Sequence, residues 1–202
     1  MRSIPDFTIE EKCGGLVCGV DEVGRGALCG PVVAAAVIVD RSDCPDGIND
    51  SKLLSRGKRE RLYKELMRSA SVGVGSAKAG EVDRLNVLNA TLLAMERAVS
   101  NLCLMPEMVL VDGNKVPNLL CATRSVVGGD RISISIASAS IVAKVTRDRL
   151  MAKLSLQHPA YGWEANAGYG TPQHIEAIRT KGITRHHRRG FGPVAKALAK
   201  RD

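Results

Sequence analysis

Eight consecutive apolar residues, Val32-Val33-Ala34-Ala35-Ala36-Val37-Ile38-Val39, constrain the fold more than any other segment. A strand with one solvated face alternates apolar and polar residues, so an unbroken run of this length predicts a strand covered on both faces. An apolar run at 16–20 precedes it and stops at Asp21-Glu22. The intervening Gly24, Arg25, Gly26 and Gly30-Pro31 read as a turn. Residues 58–69, with Leu62 and Leu66 on one side, predict a helix, and 71–79 a third strand. Three strands in such close succession predict an antiparallel start to the sheet. Helical spacing of Val82, Leu85, Leu92, Met95 and Val99 predicts a helix over 81–103. Residues 108–111 form a short apolar strand ending at Asp112-Gly113, and Val126-Val127 suggest another. Ser138, Ile141, Val142 and Val145 at i, i+3, i+4 and i+7 predict a helix over 135–154. Its Ala/Ser-rich start would admit another backbone closely. The expected architecture is α/β, a mixed sheet flanked by helices. It comprises a core over 1–158 and a helical, basic extension over 159–202, joined as one compact unit.

The 202 residues suit one domain. The formal net charge is +8, and it is unevenly placed: residues 1–101 carry 14 basic and 14 acidic side chains, residues 102–202 carry 15 and 7. A one-sided basic surface points to a polyanion, nucleic acid before membrane. No apolar stretch approaches the length of a membrane span. The polar first 11 residues do not read as a signal peptide. The six cysteines contain no C-x-x-C pair, so structural zinc is not expected, and reduced thiols in a cytoplasm are the simplest reading.

Carboxylates stand where the buried strands end: Asp21 and Glu22 after the first, Asp112 after a later one, and Asp130 just past Gly128-Gly129. Four carboxylates brought together repel one another and call for hard divalent cations, Mg²⁺ or Mn²⁺. Beside a basic surface, this suggests two-metal phosphodiester hydrolysis. Any one of these acids taken alone is more readily a cap or turn former, and it is the set that points to a site. The glycine turn fails as a dinucleotide fingerprint, because Pro31 and the apolar run continue as a strand where that motif needs a helix. A nucleotide-dependent enzyme is thereby weakened. A non-catalytic nucleic-acid-binding module would have no use for four acids beside phosphates.

The motifs then resemble a known family. Gly19-Val20-Asp21-Glu22-Val23-Gly24-Arg25-Gly26, Asp50-Ser51-Lys52, Val111-Asp112-Gly113, the segment from Ala139 to Arg149, Gly168-Tyr169-Gly170-Thr171 and His187-Arg188-Arg189 resemble ribonuclease HII in the same order over 19–194. The resemblance implies a ribonuclease H-like fold with a C-terminal helical extension. It implies cleavage of the RNA strand of RNA–DNA hybrids, and nicking 5′ of ribonucleotides embedded in duplex DNA, leaving 3′-OH and 5′-phosphate ends. It further implies Asp21, Glu22, Asp112 and Asp130 as catalytic metal ligands. Gly24, Arg25 and Gly26 would read the ribose 2′-hydroxyl, and Tyr169, rather than Tyr161, would pack on the sugar at the RNA–DNA junction. A monomer is expected, since one active site serves a duplex. With the motif starting at residue 19, the extra N-terminal domain of ribonuclease HIII is not expected. Lys52 and the basic cluster Lys181, Arg185, His186, His187, Arg188 and Arg189 are candidate phosphate contacts, with Arg188 and Arg189 foremost. His158 and His174 are read with these as phosphate-binding or structural. Asp148, flanked by arginines four residues after Lys144, is read as a structural ion pair. Ala27, Cys29, Gly128 and Gly190 depart from the family pattern, and none of these removes a catalytic group.

Overall fold

The computed structural model describes residues 4–199. Five strands form one sheet in the order β3-β2-β1-β4-β5: β1 Val17–Val23, β2 Val32–Ile38, β3 Ser71–Ala77, β4 Met108–Asp112 and β5 Ala122–Val126. β1, β2 and β3 pair antiparallel, as expected, although α2 separates β2 from β3, whereas β1–β4 and β4–β5 pair parallel. The helices are α1 Thr8–Cys13, α2 Arg56–Ser69, α3 Ala79–Ser100, α4 Ile134–Gln157, α5 Trp163–Asn166, α6 Pro172–Lys181 and α7 Gly192–Leu198.

The apolar run becomes the middle of three layers. Val32, Ala34, Ala36 and Ile38 of β2 face a cluster containing Ala90, Ala94, Met95 and Ala98 of α3. Ala35 and Val37 face the opposite cluster, with Leu62 and Leu66 of α2 and Ala137 and Ile141 of α4. All seven β2 residues are buried, so neither face needs polar side chains. Small residues bring the layers together. A Cβ on Gly19 would lie 2.1 Å from the Ser135 carbonyl carbon, so β1 and the Ala/Ser-rich start of α4 meet backbone to backbone.

Some boundaries differ from the sequence expectations. The fifth strand lies at Ala122–Val126, not at Val126-Val127, because it is an edge strand with mostly exposed side chains and no apolar run to reveal it. Residues 78–79 leave β3 and open α3, which ends at Ser100 rather than 103. Asn86 interrupts α3 at φ 65°, and its Oδ1 accepts the Asn89 N–H, so the side chain caps the second half of the helix. Helices α1, α5 and α7 are too short for a periodic signal.

After α4 the chain folds back onto the core. Tyr161, Trp163, Ala177, Ile178 and Val194 pack with Leu28, Cys29 and Met151. A bridge between Cys29 and His187 joins the C-terminal segment to the loop after β1.

Candidate active site

The parallel pairing of β1 with β4 creates the site. Val20 is in register with Val111, so Asp21 and Asp112, the last residue of β4, stand side by side on adjacent strands. β1 does not stop at the acids but continues through Asp21 and Glu22 to Val23, because β2 goes on pairing with it. Asp130 arrives from the one-turn helix after β5, and the Gly129 N–H donates to Asp112 Oδ1 at 2.7 Å, tying that loop to the end of β4. Asp21 and Asp130 are buried, and Glu22 and Asp112 are half-buried. The structure thus gathers all four carboxylates, and Asp148 stands apart, accepting from Lys144 Nζ at 2.8 Å within α4.

The crowding shows in the acidities of Asp21, Glu22 and Asp112. Burial, and then the charges of Glu22, Asp112 and Asp130, push Asp21 well above the usual carboxylate range. Burial raises Glu22 and is partly opposed by Arg25, whose Nη1 lies 3.3 Å from Glu22 Oε1. Burial and Asp130 raise Asp112. Lys52 Nζ donates to Asp130 Oδ2 at 3.0 Å and lies 3.7 Å from Asp50 Oδ1. Burial draws the Lys52 ammonium down, but its bond to Asp130 and the charges of Asp130, Asp50 and Asp21 outweigh this, so its pKa is raised. Four clustered carboxylates, offset in part by Lys52 and Arg25, are hard oxygen donors, which suits divalent cations.

The turn at Gly24, Arg25 and Gly26 follows β1 directly. Gly24 adopts φ +94°, and a Cβ on Gly26 would lie 3.9 Å from the Tyr169 ring. The turn and Tyr169, which is partly exposed, therefore share one surface beside the acids. Tyr161 is instead buried, its hydroxyl donating to the Gly182 carbonyl. Arg189 is exposed, and its main-chain N–H donates to Asp83 Oδ2.

Arg188 requires a correction. Its side chain is fully buried and its donors reach the carbonyls of Gly24, Arg25 and Gly30, so it holds the turn from inside and offers nothing to a phosphate. His187 and His174 are likewise buried, in a chain of hydrogen bonds. The Thr184 N–H donates to His187 Nδ1 at 2.9 Å, so the proton of that neutral ring sits on Nε2, which donates to His174 Nε2 at 3.2 Å. His174 Nε2 also accepts the Trp163 indole N–H, and His174 Nδ1–H donates to the Tyr169 carbonyl at 2.9 Å. With Cys29, these histidines place three ligand atoms within 4.8 Å of one another. Every ring nitrogen already has a partner, however, so the group is a satisfied structural network rather than a metal centre.

Sequence reasoning passed over Arg147, seeing it only as a neighbour of Asp148. Ser140, Ala143, Arg147 and Met151 share one face of α4, and that face is buried, so the periodicity carried a signal.

A three-layer sheet with an acid cluster at the carboxyl ends of adjacent parallel strands defines a ribonuclease H-like enzyme. Residues 18–193 match the ribonuclease HII family. A ribonuclease HII from Parvibaculum lavamentivorans is 54% identical over 200 residues, covering 97% of this chain and 74% of that protein. One from Jannaschia sp. is 52% identical over 195 residues, covering 96% and 98%. The ribonuclease H2 of Pyrococcus horikoshii superposes with a TM-score of 0.77 at 26% identity, over 91% of this chain and 97% of that one. The chain belongs to the ribonuclease HII family and is a hydrolase with ribonuclease H activity.

Proposed function

We propose that the enzyme cleaves the RNA strand of RNA–DNA hybrids and nicks duplex DNA 5′ of embedded ribonucleotides, in a metal-dependent reaction leaving 3′-OH and 5′-phosphate ends. The observation that carries this reading is the convergence of Asp21, Glu22, Asp112 and Asp130 beside a glycine turn and a partly exposed tyrosine. The four acids would hold Mg²⁺ or Mn²⁺. When bound, such ions lower the pKa of water and stabilise charge building on the phosphodiester oxygens.

The remaining work falls to the protein. Gly26 carries no side chain to shield the turn, so its backbone is open to the 2′-hydroxyl that distinguishes ribose, a group displayed in the shallow minor groove of an A-like duplex. Tyr169 offers a flat face to the same sugar. The Lys52 ammonium, already between Asp130 and Asp50, can contact the backbone phosphate as the strand approaches. Arg189 and the exposed Lys181 and Arg185 supply charge for the flanking duplex.

A DNA duplex carrying one ribonucleotide, incubated with and without Mg²⁺ or Mn²⁺, tests the reading. Metal-dependent nicking 5′ of the ribonucleotide is expected, abolished in Asp130→Asn, kept in Asp148→Asn and strongly reduced in Tyr169→Ala. Binding without nicking, or a fully active Asp130→Asn, would refute it.

A further inference from the structure

Beneath the glycine turn lie two fully buried guanidiniums, Arg147 of α4 and Arg188 of the C-terminal segment. Among the described residues, all their hydrogen bonds go to main-chain carbonyls and none to a carboxylate. Charges are expensive to bury without a counter-charge, so a fold that buries two side by side must gain something from the rigid, planar donor fork.

The two forks reach different places. Arg188 bonds only the turn and its exit, at Gly24, Arg25 and Gly30. Arg147 bonds the turn's exit through Nε to Pro31 O at 2.9 Å and Nη2 to Cys29 O at 3.2 Å. Its Nη1 donates to Ala167 O at 2.8 Å, in the loop that carries Tyr169. Ala167 adopts φ 49°, a left-handed conformation that a non-glycine residue keeps only when its surroundings hold it. The Arg147 guanidinium also lies 5.6 Å from the centroid of the Tyr169 ring. Gly24 makes room for it, since a Cβ there would lie 2.1 Å from Arg147 Nε.

We propose that Arg147 is a positioning residue that fixes the spacing between the Gly24–Gly26 turn and Tyr169, and thereby sets selectivity for an isolated ribonucleotide over a continuous RNA strand. The inference rests on the ribose-reading roles proposed above. At an isolated ribonucleotide a single sugar carries a 2′-hydroxyl, so turn and tyrosine must engage it in one register. In continuous RNA, neighbouring sugars offer other registers, and a small change in spacing is tolerated. A lysine at 147 has one nitrogen and cannot span three carbonyls.

The test compares kcat/KM on a single-ribonucleotide duplex and on an RNA–DNA hybrid, at a temperature where each protein is folded by circular dichroism. Displacements near 1 Å can cost up to about a hundredfold. Arg147→Lys is therefore expected to lower the single-ribonucleotide rate about tenfold more than the hybrid rate, whereas Arg188→Lys lowers both alike. Arg147→Gln, which removes the buried charge and keeps two donors, gives the same reading if the lysine variant does not fold. Equal loss on both substrates in the Arg147 variants would overturn the positioning role while leaving the functional reading intact. A wild-type enzyme that cuts the hybrid but not the single ribonucleotide would overturn the ribose-junction reading, and this inference with it.

Discussion

One buried imidazole, His187, should cost this protein stability on acidification. His187 is buried, and desolvation together with the nearby His174 lowers its pKa from an ordinary 6.5 to about 4. The geometry gives the reason: the Thr184 N–H points at Nδ1, and a proton there would set donor against donor. With a folded pKa below the unfolded one, the folded state binds fewer protons. This share of the stability is present above about pH 6.5 and is lost as pH falls towards 4. Between pH 7.5 and pH 5, linkage puts the loss at about 2 kcal/mol, or about 4–8 °C in Tm for a domain of this size. The assay is thermal melting of wild type and His187→Gln at both pH values. Glutamine keeps a donor for His174 and does not titrate, so the variant should melt lower at pH 7.5 but lose several degrees less on acidification. Asp21, Glu22 and Asp112, raised by the fold, act in the opposite direction, and His174 and His186, lowered by burial, in the same one. All five are present in both proteins, and the glutamine keeps a donor on His174, so their contributions largely cancel in the comparison. An equal pH-dependent fall in both would refute the buried neutral network.

Two further outcomes follow from the packing. Gly19→Ala forces a methyl against the backbone of α4, and such overpacking costs about 1–3 kcal/mol or more. Thermal melting should show it, and an unchanged Tm would mean the layers are not in backbone contact. Arg189→Ala should flatten the slope of log affinity against log salt on hybrid by about one, as for one lost phosphate contact. Arg188→Ala should instead lower Tm and leave the slope, so the reverse pattern in binding titrations would undo the division between the two arginines.

The strands were legible because their signal is local. The 32–39 run could satisfy both faces only in a middle layer, and Asp21 and Asp112 announce themselves by ending apolar runs. The antiparallel β1–β2 pair followed from the short turn between them, whereas β2 and β3 are antiparallel across a connection that contains α2. β5 was not legible, since an edge strand reading Ala-Thr-Arg-Ser-Val buries too little to impose a pattern. Among the acids, Asp130 over Asp148 was a choice the spacing alone left open, and the family resemblance favoured Asp130. The structure separates them physically, with Lys52 and the acid cluster facing Asp130, and Lys144 facing Asp148.

The basic cluster shows where sequence reading stops. Arg188 and Arg189 are adjacent letters of the same charge, yet one is buried under the turn and the other faces solvent. The features readable along the chain were those carried by local order: a strand needing cover on both faces, acids closing apolar runs, and a positive excess in the second half. Which cations meet solvent and which brace the site emerged only on folding. The partners of Arg147 and Arg188 are main-chain carbonyls, most of them more than 100 residues away, and a carbonyl is the same for every residue type and leaves no letter to read.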